Sequence, residues 1–418
     1  MDLRQYVVDK AIEAREGARG LAKASGAIKK KALVGMAEAV RSNRAALISE
    51  NTKDVDAGRQ KGLSGAMIDR LTLNDKRIEE MAVGLLEVSE LKDPVGEITN
   101  LQRRPNDMMV GKMRVPIGVV CIIYESRPNV TADAAGLCLM AGNAVILKGG
   151  SEAIHSNMAI VSLLRQALVA EGLNPGAVTF IDNTQRAAVM ELIKLEGLID
   201  LIIPRGGEGL IRSVTENSRI PVLKHYKGVC HVFVDAHADL KMAADICFNA
   251  KVQRPGTCNA METMLVDSAI AAEFLPPMTE RFLKASVELL GCPQTIKLAP
   301  QVKPLSEQDY YNEYLSLKLN IRVVGTMDEA IEHIATYSSN HTDTIVTDNY
   351  QRAMRFLREV DSAAVLVNAS TRLNDGGQFG LGAEIGISTD KIHARGPMGI
   401  EELTCNKFIV LGNGQLRG

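Results

Sequence analysis

The chain of 418 residues contains no tryptophan and only eight phenylalanines and eight tyrosines. Its core must therefore rest on aliphatic packing, with 17 methionines among the fillers. An excess of either charge is also missing. Lys and Arg total 48 against 50 Asp and Glu, a formal net charge of −2. That excludes a polyanion-binding surface spread over the whole molecule, so no nucleic-acid partner is expected, while a local phosphate site remains open. The run Lys29-Lys30-Lys31 reads as a solvated helix face. The seven cysteines, at 121, 138, 230, 247, 258, 292 and 405, form no Cys-x-x-Cys pair, which argues against a disulfide scaffold or a zinc ribbon. His225, His231 and His237 recur every six residues, neither a metal-binding motif nor one helix face, and no metal is expected. The first residues lack the basic and apolar regions of a signal peptide, and no apolar run reaches a membrane span. A reduced, soluble, cytoplasmic protein is the expectation.

What is present is an alternation of patterns. Up to about residue 100 the chain reads as helices, with apolar residues recurring at helical spacing in the stretch from Ile28 to Glu50. Beyond Pro94 short β-branched runs alternate with helical stretches. Gly118–Tyr124, Asn143–Leu147, Ala177–Ile181 and Leu198–Ile203 read as strands, with helices at Ser151–Glu171 and Gln185–Leu195 between them. A second series follows: strands at Val232–Val234, Glu262–Val266, Ile345–Val346 and Ala363–Val367, with helices at Leu240–Lys251 and Asp328–Thr336. Such repetition implies two α/β domains with parallel sheets covered on both faces. The segment around Leu101–Pro105 and the tail Lys407–Leu411 could pair as strands outside both, either as a contact to another subunit or as a plain edge hairpin.

Four stretches could carry chemistry. Gln253–Ala260 places Cys258 on a small-residue connection rather than in an apolar run, with Arg254 nearby to favour a thiolate. The strand ending in Lys148-Gly149-Gly150-Ser151 runs into a helix, offering backbone N–H groups to a nucleotide phosphate, and Arg205-Gly206-Gly207 repeats that form. Neither matches Gly-x-Gly-x-x-Gly, but two such turns together point to a dinucleotide. In the loop Tyr124–Thr131, Asn129 could donate to an oxyanion and Arg127 could meet an anionic substrate.

Together these stretches resemble the aldehyde dehydrogenase superfamily over essentially the whole chain. The most specific are the region 324–345, with Glu329-Ala330-Ile331-Glu332-His333-Ile334 and Asn340-His341-Thr342-Asp343-Thr344-Ile345, the Gln253–Ala260 loop, and Gly377–Thr389 continuing to Arg395-Gly396-Pro397-Met398-Gly399. The resemblance implies an α/β fold of two parallel-sheet Rossmann-like domains plus a small oligomerisation β appendage. The implied boundaries are 1–100 and 116–228 for an NADP-binding domain, 229–395 for a catalytic domain with the nucleophilic cysteine, and 101–115 with 396–418 for oligomerisation strands.

By the same resemblance Cys258 is the nucleophile, Asn129 the oxyanion amide, and Lys148 the residue at the adenosine ribose, with Gly149, Gly150, Ser151, Gly206 and Gly207 around the cofactor. NAD-preferring members carry a Glu three residues after that lysine. Ser151 stands there in this chain, with Glu152 one step on, which favours NADP(H). Oxidising members carry a water-activating glutamate in a region that reads Val222–Gly228 here, and no Asp or Glu occurs from Asn217 to Val234. His225 is the substitute base on offer.

The implied activity is NADPH-dependent reduction of L-glutamyl 5-phosphate, a small-molecule substrate, to L-glutamate 5-semialdehyde through a cysteine thioester in proline biosynthesis. A homo-oligomer supplied by glutamate 5-kinase is implied with it. Arg127 and Arg254 are the candidates at the acyl phosphate, and Phe379 and Gly380 those at the amino-acid end. Competing readings are an oxidising or coenzyme A-acylating semialdehyde dehydrogenase, or a non-catalytic nucleotide-binding scaffold.

Overall fold

The computed structural model describes residues 2–417 and shows two compact units. The first comprises the chain up to Lys224, Gly380–Gly386 and the part from Met398 onward; the second comprises His225–Phe379 and Ile387–Pro397. The division thus falls at Lys224/His225 rather than at 228/229, and a short return segment joins the first unit.

In the first unit five helices (Leu3–Leu21, Gly26–Ser42, Arg44–Gln60, Gly65–Leu71 and Asp75–Glu90) precede the sheets. The stretch Ile28–Glu50 spans the second and third of these helices, which part at Asn43, whose side-chain amide donates back to the Ala39 carbonyl at 2.8 Å. Side-chain caps mark other starts: Ser25 accepts from Ile28 and Asn74 from Arg77.

The parallel sheet of this unit has the order Val178–Phe180, Ala144–Lys148, Val119–Tyr124, Leu201–Arg205. Its strands are near-continuous apolar runs because both faces are covered; Cys121 sits between Ile146 and Ile202. The chain winds outward from Val119–Tyr124 and then returns to its other side. That reversal opens a crevice at the carboxyl ends of Val119–Tyr124 and Leu201–Arg205, where open α/β sheets bind ligands.

By length and composition alone the 20 residues Ser151–Ala170 would suffice to cross a membrane, although polar residues interrupt their apolar runs. In this fold Ile160, Val161, Leu164 and Leu168 form a buried face. A separate antiparallel sheet has Met109–Pro116 in the middle, flanked by Ile98–Arg103 and Thr404–Leu411. The two segments expected to pair with each other therefore share a central partner instead, and Phe408, Val410 and Leu411 are exposed on the outer strand.

The second unit is built on seven parallel strands in the order Lys303–Pro304, Glu288–Gly291, Lys318–Val324, Met261–Asp267, Cys230–Val234, Thr342–Val346, Ala364–Val367. Strand alternation separates two cores. Val232, Val234, Met264, Val266 and Ile321 pack with Phe274, Leu275 and Phe282, while Phe233, Leu265, Val324 and Ile345 pack with Ala330, Ile334 and Phe356. The helix Ser268–Lys284 and the strand Lys318–Val324 were not legible in the pattern. Pro276 and Pro277 interrupt the first, and Lys318, Asn320 and Arg322 break the apolar run of the second.

Candidate active site

Strand order in the second unit explains how three distant segments meet. Met261–Asp267, Cys230–Val234 and Thr342–Val346 are neighbours and parallel, so the residues that lead into them arrive at one end of the sheet together. Cys258, His225 and His341 stand just before these strands, and the thiol and one nitrogen of each imidazole lie within 4.8 Å of one another. The two rings meet edge to face at 5.2 Å. His225 Nδ1 lies 2.8 Å from the Ile387 carbonyl oxygen. Nδ1 therefore donates, and a neutral ring would carry its lone pair on Nε2. Burial, and secondarily His225, pushes the pKa of His341 down to about 3, so that ring is neutral. Two imidazoles and a thiol would suit a thiophilic cation, but a nucleophile needs its sulfur lone pair for substrate. Proton transfer is the chemistry this set supports.

The cysteine loop is held on all sides. Lys251 before it and Glu262 after it, both inaccessible to solvent, form a 2.6 Å ion pair. Glu262 also accepts from the Leu315 amide at 3.2 Å, and burial pushes its carboxyl up to about 7 against the pull of Lys251. Gly228 lies so close to the Cys258 carbonyl that any Cβ would overlap it. The same carbonyl accepts from the Cys230 thiol at 3.2 Å. The Gly228 amide donates to Glu313 Oε1 at 2.9 Å. A carboxylate from a loop 85 residues away thus reaches Gly228, where it accepts from the backbone.

Arg254 shares the loop with Cys258. Arg372 was not anticipated. From the short turn Thr371–Leu373 it donates through Nε to Gln253 Oε1 at 2.9 Å and through Nη1 to Asn259 Oδ1. Only the fold could reveal it, since more than a hundred residues separate these partners. The Phe379 backbone N–H, expected to serve the substrate, is already donated to the Asp375 carbonyl at 2.9 Å. Gly380, with φ of 78°, begins the return segment of the first unit. Of the remaining thiols, burial pushes Cys121 up to about 12 and raises Cys138, Cys230 and Cys247 as well. Cys292 is only partly buried. Burial opposes its ionisation, yet the Thr295 hydroxyl and backbone amides bring its pKa down.

In the first unit, Lys148 ends its strand with Nζ 2.8 Å from the Gly149 carbonyl oxygen, and burial lowers its pKa. A Cβ on Gly149 would meet the Asn157 amide and one on Gly150 the Glu152 carboxylate, so those side chains would have to shift to admit it. With glycine at both positions the turn has a bare backbone. Ser151 is exposed, whereas Glu152 folds back so that Oε1 accepts from the Ser126 amide at 2.7 Å and the Ser126 hydroxyl at 2.8 Å. A carboxylate thus sits by this turn, held on Ser126. At the second turn the Gly207 amide donates to Glu125 Oε2 at 3.1 Å, and Gly206 packs beside that carboxylate.

The loops that follow Val119–Tyr124 and Leu201–Arg205 lie at the crevice described above. Arg127 and Asn129 are exposed on the first of them. The Asn129 amide donates to Asp133 Oδ2 at 3.0 Å, which leaves its second N–H for another acceptor. Burial raises Asp133 to about 6 despite that bond and the nearby Arg205.

The Aldehyde dehydrogenase family matches residues 2–315. The chain is 66% identical over 417 residues to a gamma-glutamyl phosphate reductase of Thermodesulfovibrio yellowstonii, covering 100% of both chains. It is 57% identical over 417 residues, again covering 100% of both, to the protein of that name from Desulfatibacillum aliphaticivorans. The crystal structure of gamma-glutamyl phosphate reductase from Thermotoga maritima superposes with a TM-score of 0.97 at 48% identity, over 99% of this chain and 100% of that one. The chain belongs to the aldehyde dehydrogenase family and is an oxidoreductase acting on an aldehyde group.

Proposed function

We propose that this protein reduces L-glutamyl 5-phosphate to L-glutamate 5-semialdehyde, with release of phosphate, in proline biosynthesis. The observation that carries the reading is the thiol of Cys258 set between two imidazoles on a loop that also holds Arg254. Likeness to enzymes named for this substrate over their full length supports it.

The Cys258 sulfur attacks the acyl carbon, and its proton passes to Nε2 of His225. The C–S bond forms first and gives a tetrahedral oxyanion; its collapse breaks the C–O bond to phosphate, and the departing phosphate takes the proton. The second N–H of Asn129 is assigned to the oxyanion; losing one such donor typically costs about 2.7–4 kcal/mol of barrier. NADPH, when bound, supplies the hydride that reduces the thioester to the aldehyde. Return of the sulfur to the thiol takes one proton, which the imidazole relays from solvent.

The glycine turns suit a nicotinamide dinucleotide, because the backbone at Gly149 and Gly150 stays bare and feeds a helix start. Lys148, Ser151, Gly206 and Gly207 would hold it. NADP(H) is favoured because exposed Ser151 fronts the turn while Glu152 is engaged by Ser126. Arg127 is assigned to the anionic substrate. Self-association through the antiparallel sheet, whose outer strand exposes Phe408, Val410 and Leu411, belongs to the same reading, as does supply by a glutamate 5-kinase.

The test is the reverse reaction. Glutamate 5-semialdehyde and NADP+ are mixed with phosphate, with coenzyme A, or with neither. Strict dependence on phosphate is the expected result. Turnover in plain buffer would instead mark an oxidising dehydrogenase, and dependence on coenzyme A an acylating one.

A further inference from the structure

Arg372 and Arg254 stand out among the basic residues of the second unit. Neither forms an ion pair or a side-chain hydrogen bond with any described carboxylate, although most other arginines of this unit do. Arg372 spans the cysteine loop: Nε is anchored on Gln253, the residue before Arg254, and Nη1 on Asn259, the residue after Cys258. Both anchors are neutral amide oxygens, which fix the guanidinium plane without neutralising it. Its Nη2 edge makes no protein hydrogen bond among the described residues. The acidic influences on it are Cys258 and then Asp375, whose Oδ1 already accepts from the Gly377 and Gln378 amides. Burial, and after it the like charge of Arg254, lower the pKa of Arg372 against the opposing pull of Cys258 and Asp375.

A positioned guanidinium matches an oxyanion with parallel N–H donors. We infer that Arg372, together with Arg254, forms the cradle for the phosphoryl group of the acyl-phosphate substrate beside Cys258. The inference rests on the reading of this protein as an acyl-phosphate reductase. It adds the residue that recognises the leaving group and holds the departing phosphate as the thioester forms. The substrate's other anion, its α-carboxylate, shares the chemistry, and the test separates the two.

In the reverse direction phosphate and the aldehyde are separate substrates, so each anion has its own KM. Arg372→Gln should raise the KM for inorganic phosphate roughly 10- to 100-fold, the loss expected for charge-assisted hydrogen bonds, with the KM for glutamate 5-semialdehyde within about two-fold. Arg254→Gln should follow in the same direction, and Arg372→Lys should recover part of the loss. Independently of turnover, inorganic phosphate should slow alkylation of Cys258 by iodoacetamide in the unmodified enzyme and not in Arg372→Gln.

Thermal unfolding of the two Arg372 variants checks that the loop is still in place. If Arg372→Gln is unstable, Arg372→Lys carries the comparison of the two KM values. A rise in the aldehyde KM with the phosphate KM unchanged would assign the cradle to the α-carboxylate and overturn the inference, as would two unchanged values. Turnover of the unmodified enzyme without phosphate would overturn the underlying reading as well. A phosphate requirement that Arg372→Gln leaves untouched overturns this inference alone.

Discussion

The two glycine turns of the first unit and the cysteine loop of the second are built on opposite ends of their sheets and by opposite means. The turns lie at carboxyl ends of strands, where they offer backbone amides and a helix start, and acidic side chains are held beside them: Glu152 on Ser126, Glu125 on Gly207. The cysteine loop lies at amino ends of strands, where imidazoles and guanidinia gather around a thiol. The difference teaches where each site is vulnerable. A backbone site survives most side-chain changes and fails when a side chain is added; a side-chain site fails when one is removed.

The sharpest break in that comparison is Cys258→Ala. Removing the nucleophile should lower turnover by on the order of 10⁴-fold or more, measured as NADPH oxidation, with the cofactor's affinity unchanged by fluorescence titration. Next comes Lys251→Met, which leaves Glu262 buried without its cation. Breaking a buried pair costs about 3–5 kcal/mol, and chemical denaturation should show that loss. Double replacement by apolar residues should recover much of it. In the first unit Ser151→Glu adds an acid where the turn has none fronting it. The ratio of kcat/KM for NADPH over NADH should fall by roughly ten-fold through repulsion of the 2′-phosphate, while the rate of Cys258 alkylation stays the same.

The smallest effect concerns Asp133. Its carboxyl is raised to about 6 by burial, so the folded protein binds more protons than the unfolded chain between about pH 4 and 6. Stability contributed by this group therefore falls as pH rises through that window. Asp133→Asn should flatten that part of the profile of melting temperature against pH. An unchanged slope would show that the buried carboxyl does not titrate there.

Elements whose pattern is local were legible in the sequence. The strands Val119–Tyr124 and Ala144–Lys148 announce themselves as unbroken apolar runs, and Cys258 stands out because its neighbours are small and polar. What escaped depends on strand order. His341 reads as a helix-end residue until Thr342–Val346 is placed beside Cys230–Val234. Arg372 and Glu313 reach the cysteine segment across more than 80 residues. The helix Ser268–Lys284 escaped for another reason: burial of Phe274, Leu275, Met278 and Phe282 outweighs what two prolines cost it.

Gly228 has a consequence for how variation in this protein will be read. Its place against the Cys258 carbonyl excludes every other residue type by backbone overlap alone. In a saturation screen scored by growth without proline, position 228 should look as intolerant as the nucleophile itself. Yet no side chain there takes part in the reaction. Comparing the abundance of each variant with its activity would distinguish the two kinds of indispensable position.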